Sequence, residues 1–207
     1  MVKALTKPPP KTCIIVGIPG VGKTTVLNLL LELAKSEGYK MKIVNFGDKV
    51  LEEAMRKGII VHRDEIRKLP LTVQMDLQKT AAKIIAKEAM ESTDVDAFLV
   101  DTHALVHTAT GFWPGLPSYV ITEIKPLAIF VIEADPKDIL ARRIRDSGVR
   151  RRGEEREISE IKEFMYMARY TALSSAVLVG ATVSIVENVE GKAEDAAKAI
   201  LEIIKKL

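Results

Sequence analysis

The sequence predicts an α/β fold built on a parallel sheet with helices on both faces, and three observations carry that expectation. Five apolar runs of strand length alternate with segments of helical period along the 207 residues. The runs are nearly continuous in apolar residues, as strands covered on both faces require. A glycine-rich stretch joins the first run directly to a helix-period segment.

The elements follow in order. Residues 1 to 11 end in Pro8-Pro9-Pro10, whose nitrogens donate no ladder hydrogen bond, so an extended entry is expected and the fold begins at Thr12. The strand candidates are TCIIVG, MKIVNF, AFLVDTH, PLAIFVIEA and TVSIVEN. After Lys23, the residues Val26, Leu29, Leu30 and Leu33 recur at helical spacing, and Gly38 supplies the stop. Leu71 to Met90 and Ile158 to Val179 read as long helices, and Ala193 to Lys206 as a terminal amphipathic one. Four crossovers separate five strands. No internal repeat, low-complexity segment or linker divides the chain, so residues 1–207 are expected to form a single domain.

With 31 basic and 28 acidic residues the formal net charge is +3, a balance that argues against nucleic acid or a membrane surface as the main partner. One cysteine, Cys13, allows no internal disulfide and reads as a small core filler in a reducing compartment. No apolar run reaches the roughly 18 residues that span a bilayer, and the start of the chain lacks a signal-peptide stretch. A cytoplasmic protein is the expectation.

Residues Gly17, Ile18, Pro19, Gly20, Val21, Gly22, Lys23 and Thr24 match G-x-x-x-x-G-K-[ST] in full, between a strand and a helix. Its glycines permit a tight loop whose backbone N–H groups face phosphate oxygens, and the next helix adds its positive end. Lys23 then reaches the β- and γ-phosphates, and the Thr24 hydroxyl is the expected direct Mg²⁺ ligand. A full match in the right context leaves little room for a chance glycine turn. The motif alone does not separate kinase, GTPase and ATPase.

The rest of the chain must separate them. Asp101 ends the strand FLVD at the sheet edge where the loop opens, and either holds a Mg²⁺-bound water or caps a turn. His103 lies two residues on and is given a binding role at most, because phosphoryl transfer needs little base help. Asn45 to Asp48 (NFGD) open a helix. Arg63 and Arg67, four apart, share a helix face that either forks onto one phosphate or is simply solvated. Between Leu140 and Glu157 seven arginines, Arg142, Arg151 and Arg152 among them, cluster around Gly148 and Gly153. A glycine-hinged basic lid is favoured over a solvated loop, because arginine is used almost to the exclusion of lysine. Thr110 to Ser118 form a turn-rich loop whose Trp113 either lines an acceptor pocket, fills a core margin or meets another subunit.

Taken in their order and spacing, GIPGVGKT, NFGD, RDEIRKL, LVDTHA, WPGLP and ARRIRD resemble the archaeal type of adenylate kinase, from about Thr12 to the end of the chain. The resemblance implies a doubly wound P-loop NTPase fold with a five-stranded parallel sheet flanked by helices. It also implies an AMP-side helical insertion over about 46–92 and a short lid over about 146–157. ATP and AMP would be the substrates, Mg²⁺ the cofactor and a homotrimer the usual assembly. Gly20, Gly22, Lys23, Thr24 and Thr25 would then belong to the ATP phosphate site. Phe46, Gly47, Arg63 and Arg67 would fall on the AMP side, with His103 beside the acceptor. Asp101 would help hold the magnesium hydration shell, and Arg142, Arg151 and Arg152 would supply charge around the transferred group. The bacterial enzymes carry D-G-F-P-R where this chain has DTH, so Arg63 or Arg67 must replace that arginine. The lid has no cysteine quartet, so no structural zinc is expected in it.

Two other readings stand beside this one. The same scaffold serves kinases of other nucleoside monophosphates or small metabolites, because acceptor identity lives in loops. An ATP-dependent RNA-associated module would use the arginine cluster on a phosphate backbone, with binding that falls as salt rises. A GTPase switch is disfavoured, since no N-K-x-D base-reading motif is present.

Overall fold

A computed structural model describes residues 8–59, 62–108, 111–147 and 154–207. Five parallel strands form its central sheet: β1 (Lys11–Val16), β2 (Met41–Asn45), β3 (Ala97–Asp101), β6 (Ala128–Glu133) and β7 (Thr182–Glu187), in the spatial order β2-β3-β1-β6-β7. The chain lays β2 and β3 on one side of β1, then crosses to lay β6 and β7 on the other. Strand order therefore reverses beside β1, and the carboxyl ends of β1 and β3 border the crevice where such sheets bind ligands. The doubly wound architecture and all five strands agree with the sequence reading.

Alternation along each strand feeds two cores. Cys13 and Ile15 of β1, Leu99 of β3 and Phe130 of β6 face one layer, where α1 (Lys23–Ser36) and α7 (Ala193–Lys206) pack with Leu30, Ala197 and Ile200. Ile14, Val16, Phe98 and Ile129 face the other. There they meet α2 (Phe46–Arg56), α3 (Leu71–Glu91) and α4 (Ser118–Ile124) through Val50, Leu77, Ile85 and Ile121. Phe98 and Phe130, both fully buried, lie on opposite faces. Each contributes about 2–3 kcal/mol of burial, one to each layer. Cys13 is a core filler as expected, and burial pushes its thiol up to about 12.

The long helix α6 (Glu154–Val177) serves both layers, with Ile161 and Ala168 on one and Ala172 and Ala176 on the other. At its middle, Arg169 holds the buried Glu133 carboxylate at the end of β6, with Nε donating to Oε1 at 2.7 Å. In α2 the buried Glu53 carboxylate accepts from Arg56 at 2.7 and 2.8 Å and pairs with Lys57 at 3.2 Å. These partners, Arg56 foremost, hold it down at about 2.

Two expectations are corrected. The stretch read as a turn-rich loop contains β5 (Gly111–Pro114), which pairs antiparallel with β4 (Leu105–Thr108) in a separate two-stranded sheet. The segment bearing Arg63 and Arg67 is a 3₁₀-helix, Arg63–Lys68. With about 3.0 residues per turn, positions four apart are turned roughly 120° from one another, so the spacing by itself no longer argues for a shared helix face. Their side chains, and residues 148–153 with Arg151 and Arg152, lie outside what is described. The expected lid over 146–157 thus takes in the end of α5 (Pro136–Ser147), residues 148–153 and the first turn of α6.

Candidate active site

The phosphate loop grows out of β1 and turns into α1 through glycines that have no substitute. Gly20 and Gly22 adopt φ of 94° and 83°, the left-handed region that side chains resist. A Cβ on Gly22 would also lie 2.5 Å from the Asn188 amide. Ile18 and Val21 are buried, so the loop is pinned to the core by its apolar positions while its polar backbone stays at the surface. No side chain caps α1 and no acid stands in its first turn, which leaves its positive end suited to an anion. Thr24 and Thr25 are exposed there.

Side chains from far along the sequence grip the loop from outside. Asn188, after β7, donates from Nδ2 to the Val21 carbonyl at 2.7 Å. Arg143 of α5 donates to the Pro19 carbonyl at 3.0 and 2.7 Å. Arg142 reaches the Gly20 carbonyl at 3.3 Å and pairs with Glu190, its Nε 2.9 Å from Oε2. That partner holds the Glu190 carboxyl below its ordinary range. Arg142 therefore stands at the loop's rim, braced by an acid that no sequence pattern flagged.

At the end of β3, Asp101 sits where it was expected. Lys23 ion-pairs with Asp101 Oδ1, and Asn45 donates to Oδ2 at 2.8 Å. Asn45 does two jobs, since its side-chain oxygen also accepts from Asp48 N–H and caps α2. An Asn just before a helix is an N-cap signal, but its second role depends on β2 lying beside β3.

Beyond Asp101 opens a cavity of about 620 Å³, a size typical of small-molecule sites. Phe46, Gly47 and Val50 of α2, Ile66, Gln74 and Gln78, and Thr102 and His103 line it. The β4–β5 hairpin closes one side. Its Val106–Trp113 pair and Thr108 belong to one face and line the cavity, while Phe112 faces the other way and stacks on Phe164 of α6 at 5.7 Å. Trp113 thus takes the pocket-lining alternative, and its buried Nε1 has no hydrogen-bond partner among the described residues.

Two amides on one face of α3 are oriented before any ligand enters. Gln74 donates from Nε2 to the Leu69 carbonyl at 2.8 Å, and Gln78 Oε1 accepts from the Tyr119 hydroxyl at 2.9 Å. Sequence reading missed both, together with Arg143, Asn188 and Glu190. The structure brings Phe46, Gly47, His103, Asp101 and Lys23 to one edge of the sheet.

A protein-family model described as an AAA domain matches residues 16–162. The chain is 52% identical over 199 residues to the adenylate kinase of Sulfurisphaera tokodaii, covering 95% of this chain and 99% of that one. The adenylate kinase of Saccharolobus solfataricus is 46% identical over 191 residues, covering 92% and 97%. That of Methanocaldococcus jannaschii is 43% identical over 195, covering 94% and 98%. Among solved structures, a shikimate kinase from Acinetobacter baumannii in complex with shikimate aligns with a TM-score of 0.52 at 17% identity, over 99% of this chain and 97% of that one. The structural likeness bears on fold alone.

Proposed function

The chain belongs to the adenylate kinase family and is an ATP:AMP phosphotransferase, and from that premise we propose how its residues divide the work. ATP sits with its phosphates in the loop from Gly17 to Thr25, against the backbone N–H groups, the start of α1 and Lys23. AMP enters the cavity beyond Asp101, with Phe46, Gly47 and His103 on its walls and Arg63 and Arg67 as the cations for its phosphate. An AMP phosphate oxygen attacks the γ-phosphorus in line while the bond to the β-bridging oxygen breaks, giving two ADP. No enzyme-bound phosphoryl intermediate is needed. Arg142, Arg151 and Arg152 supply positive charge around the transferred group.

The observation that carries this division is the placement of Lys23 and Asp101 between the loop and a cavity of about 620 Å³ at one sheet edge. The residues also fit Mg²⁺. A hydroxyl and a carboxylate are hard oxygen donors. No cluster of three His, Cys, Asp or Glu that could hold a metal exists among the described residues, so phosphates and water would complete the shell. Thr24 would bind the ion directly and Asp101 through water. When bound, it would neutralise charge on the β- and γ-oxygens.

We further place the chain with the archaeal type, as a cytoplasmic homotrimer. No helix among the described residues is long and apolar enough to cross a membrane. Tyr166, Tyr170, Leu173 and Val177 form an exposed stripe at helical spacing along α6, a surface that self-association would cover.

Trp113 is the one tryptophan of the sequence and lines the proposed acceptor cavity. AMP alone is expected to change its fluorescence saturably, and MgATP alone to leave it nearly unchanged. A response to MgATP but none to AMP would move the acceptor elsewhere.

A further inference from the structure

We propose that His103 is a positioning residue, which sets the phosphate loop at a fixed place against the acceptor cavity through a hydrogen bond from Nδ1 to the Gly17 carbonyl. This rests on the reading that the cavity takes the acceptor. It goes beyond a wall position, because it assigns the imidazole a second partner on the ATP side.

The geometry has three parts. Nδ1 lies 2.7 Å from the Gly17 oxygen. A carbonyl has no proton to give, so Nδ1 carries the hydrogen whether the ring is neutral or charged. Gly17 is the first residue of the loop and is tightly held, since a Cβ there would lie 2.8 Å from Val21 and 3.0 Å from the Ile132 carbonyl. Anchoring its carbonyl fixes the plane of the Gly17–Ile18 peptide and so the direction in which the loop departs from β1.

The same residue lines the acceptor cavity, so one position borders both halves of the site. Its backbone is clamped on both sides. Thr102 N–H donates to the Ile15 carbonyl of β1 at 3.0 Å, and Gly115 N–H donates to the Ala104 carbonyl at 2.8 Å. Gly115 presses so closely that a Cβ on it would come 1.8 Å from the His103 carbonyl oxygen. With the main chain set on two sides, the Cα from which the imidazole reaches the loop is held in place.

Transfer between two bound phosphates depends on the approach of one oxygen to one phosphorus, and a misplacement of about 1 Å costs on the order of 10²-fold. Loss of the tie should therefore appear in turnover even when both substrates are saturating.

The test compares three variants in the intact chain. In His103→Asn the amide nitrogen stands near the position of Nδ1 and can still donate to Gly17. In His103→Gln it reaches toward the position of Nε2, and His103→Leu offers no donor. His103→Leu and His103→Gln are expected to lose about 10–100-fold in kcat, while His103→Asn recovers to within about fivefold of the parent. If His103→Leu fails to fold, the Asn and Gln pair decides alone. The ¹⁵N imidazole shifts of the parent, assigned by the signal missing from His103→Asn, should report the Nδ1–H tautomer near neutral pH, against the Nε2–H form that free histidine favours.

Asn no better than Gln, full activity in all three variants, or an Nε2–H tautomer would each overturn the proposal. A parent that makes ADP from AMP but shows Nε2–H would sink this inference and leave the function standing. A parent inactive with AMP would sink the function, while the tautomer would still report the Gly17 contact.

Discussion

Lys23→Ala is expected to lower kcat/KM for ADP formation by about 10³-fold, equivalent to about 4 kcal/mol of transition-state stabilisation. Lys23 is the cation at the start of α1, the point where the β- and γ-phosphates would meet the loop. Its ammonium pairs with Asp101, so it is held near the sheet edge by an acid before it serves a phosphate. The substitution removes a partly buried ion-pair partner, yet Asp101 keeps its hydrogen bond from Asn45. The fold should therefore survive with a loss of about 1–3 kcal/mol. Lys23→Gln, which keeps an N–H donor for Asp101 but no charge, separates the two effects. It should fold closer to the parent and be as inactive as alanine. Steady-state kinetics within about threefold of the parent would remove the site assignment.

Gly115→Ala is the second large effect. The added methyl would lie 1.8 Å from the His103 carbonyl oxygen and 2.9 Å from its carbon, both of them backbone atoms that cannot turn aside as a side-chain tip can. Gly115 does not adopt a positive φ, so the cost is steric alone. We expect a loss of about 3 kcal/mol or more, which for a chain of this length is a fall of roughly 6–12 °C in Tm. Because the displaced segment leads from Asp101 to the hairpin, the protein that remains folded should show a higher KM for AMP and a smaller change for MgATP. An unchanged Tm and an unchanged AMP KM would mean that the WPGLP turn does not hold His103 in place.

What could be read from the sequence was what is local or strongly patterned. The phosphate loop is eight consecutive residues between a strand and a helix, and the three inner strands of the main sheet, β1, β3 and β6, are runs apolar enough to be largely buried on both faces. The β4–β5 hairpin carried no such signal. LVHT and GFWP are four residues each, mostly not fully buried, and one ends in proline. The segment RDEIRK was read at helical period because a 3₁₀-helix and an α-helix are not distinguishable over six residues.

The second layer of the site was hidden for a different reason. Asn188 meets Val21 across 167 positions and Arg143 meets Pro19 across 124, contacts that exist only once β7 and α5 have been placed beside β1. Gly115 appeared in the sequence as a turn residue, and its tight contact with His103 needed the folded chain to be seen. Gln74 and Gln78 look like ordinary polar positions of an amphipathic helix, and only the Leu69 and Tyr119 partners show that their amides have fixed directions.

The most direct test of the central claim is ADP formation by the purified chain from MgATP with AMP, GMP, CMP or UMP as acceptor, alongside Lys23→Ala. The expected result is that AMP is used in preference to the others, with two ADP formed per AMP consumed and none above background in the variant. No transfer to any monophosphate by a protein that binds MgATP would contradict it.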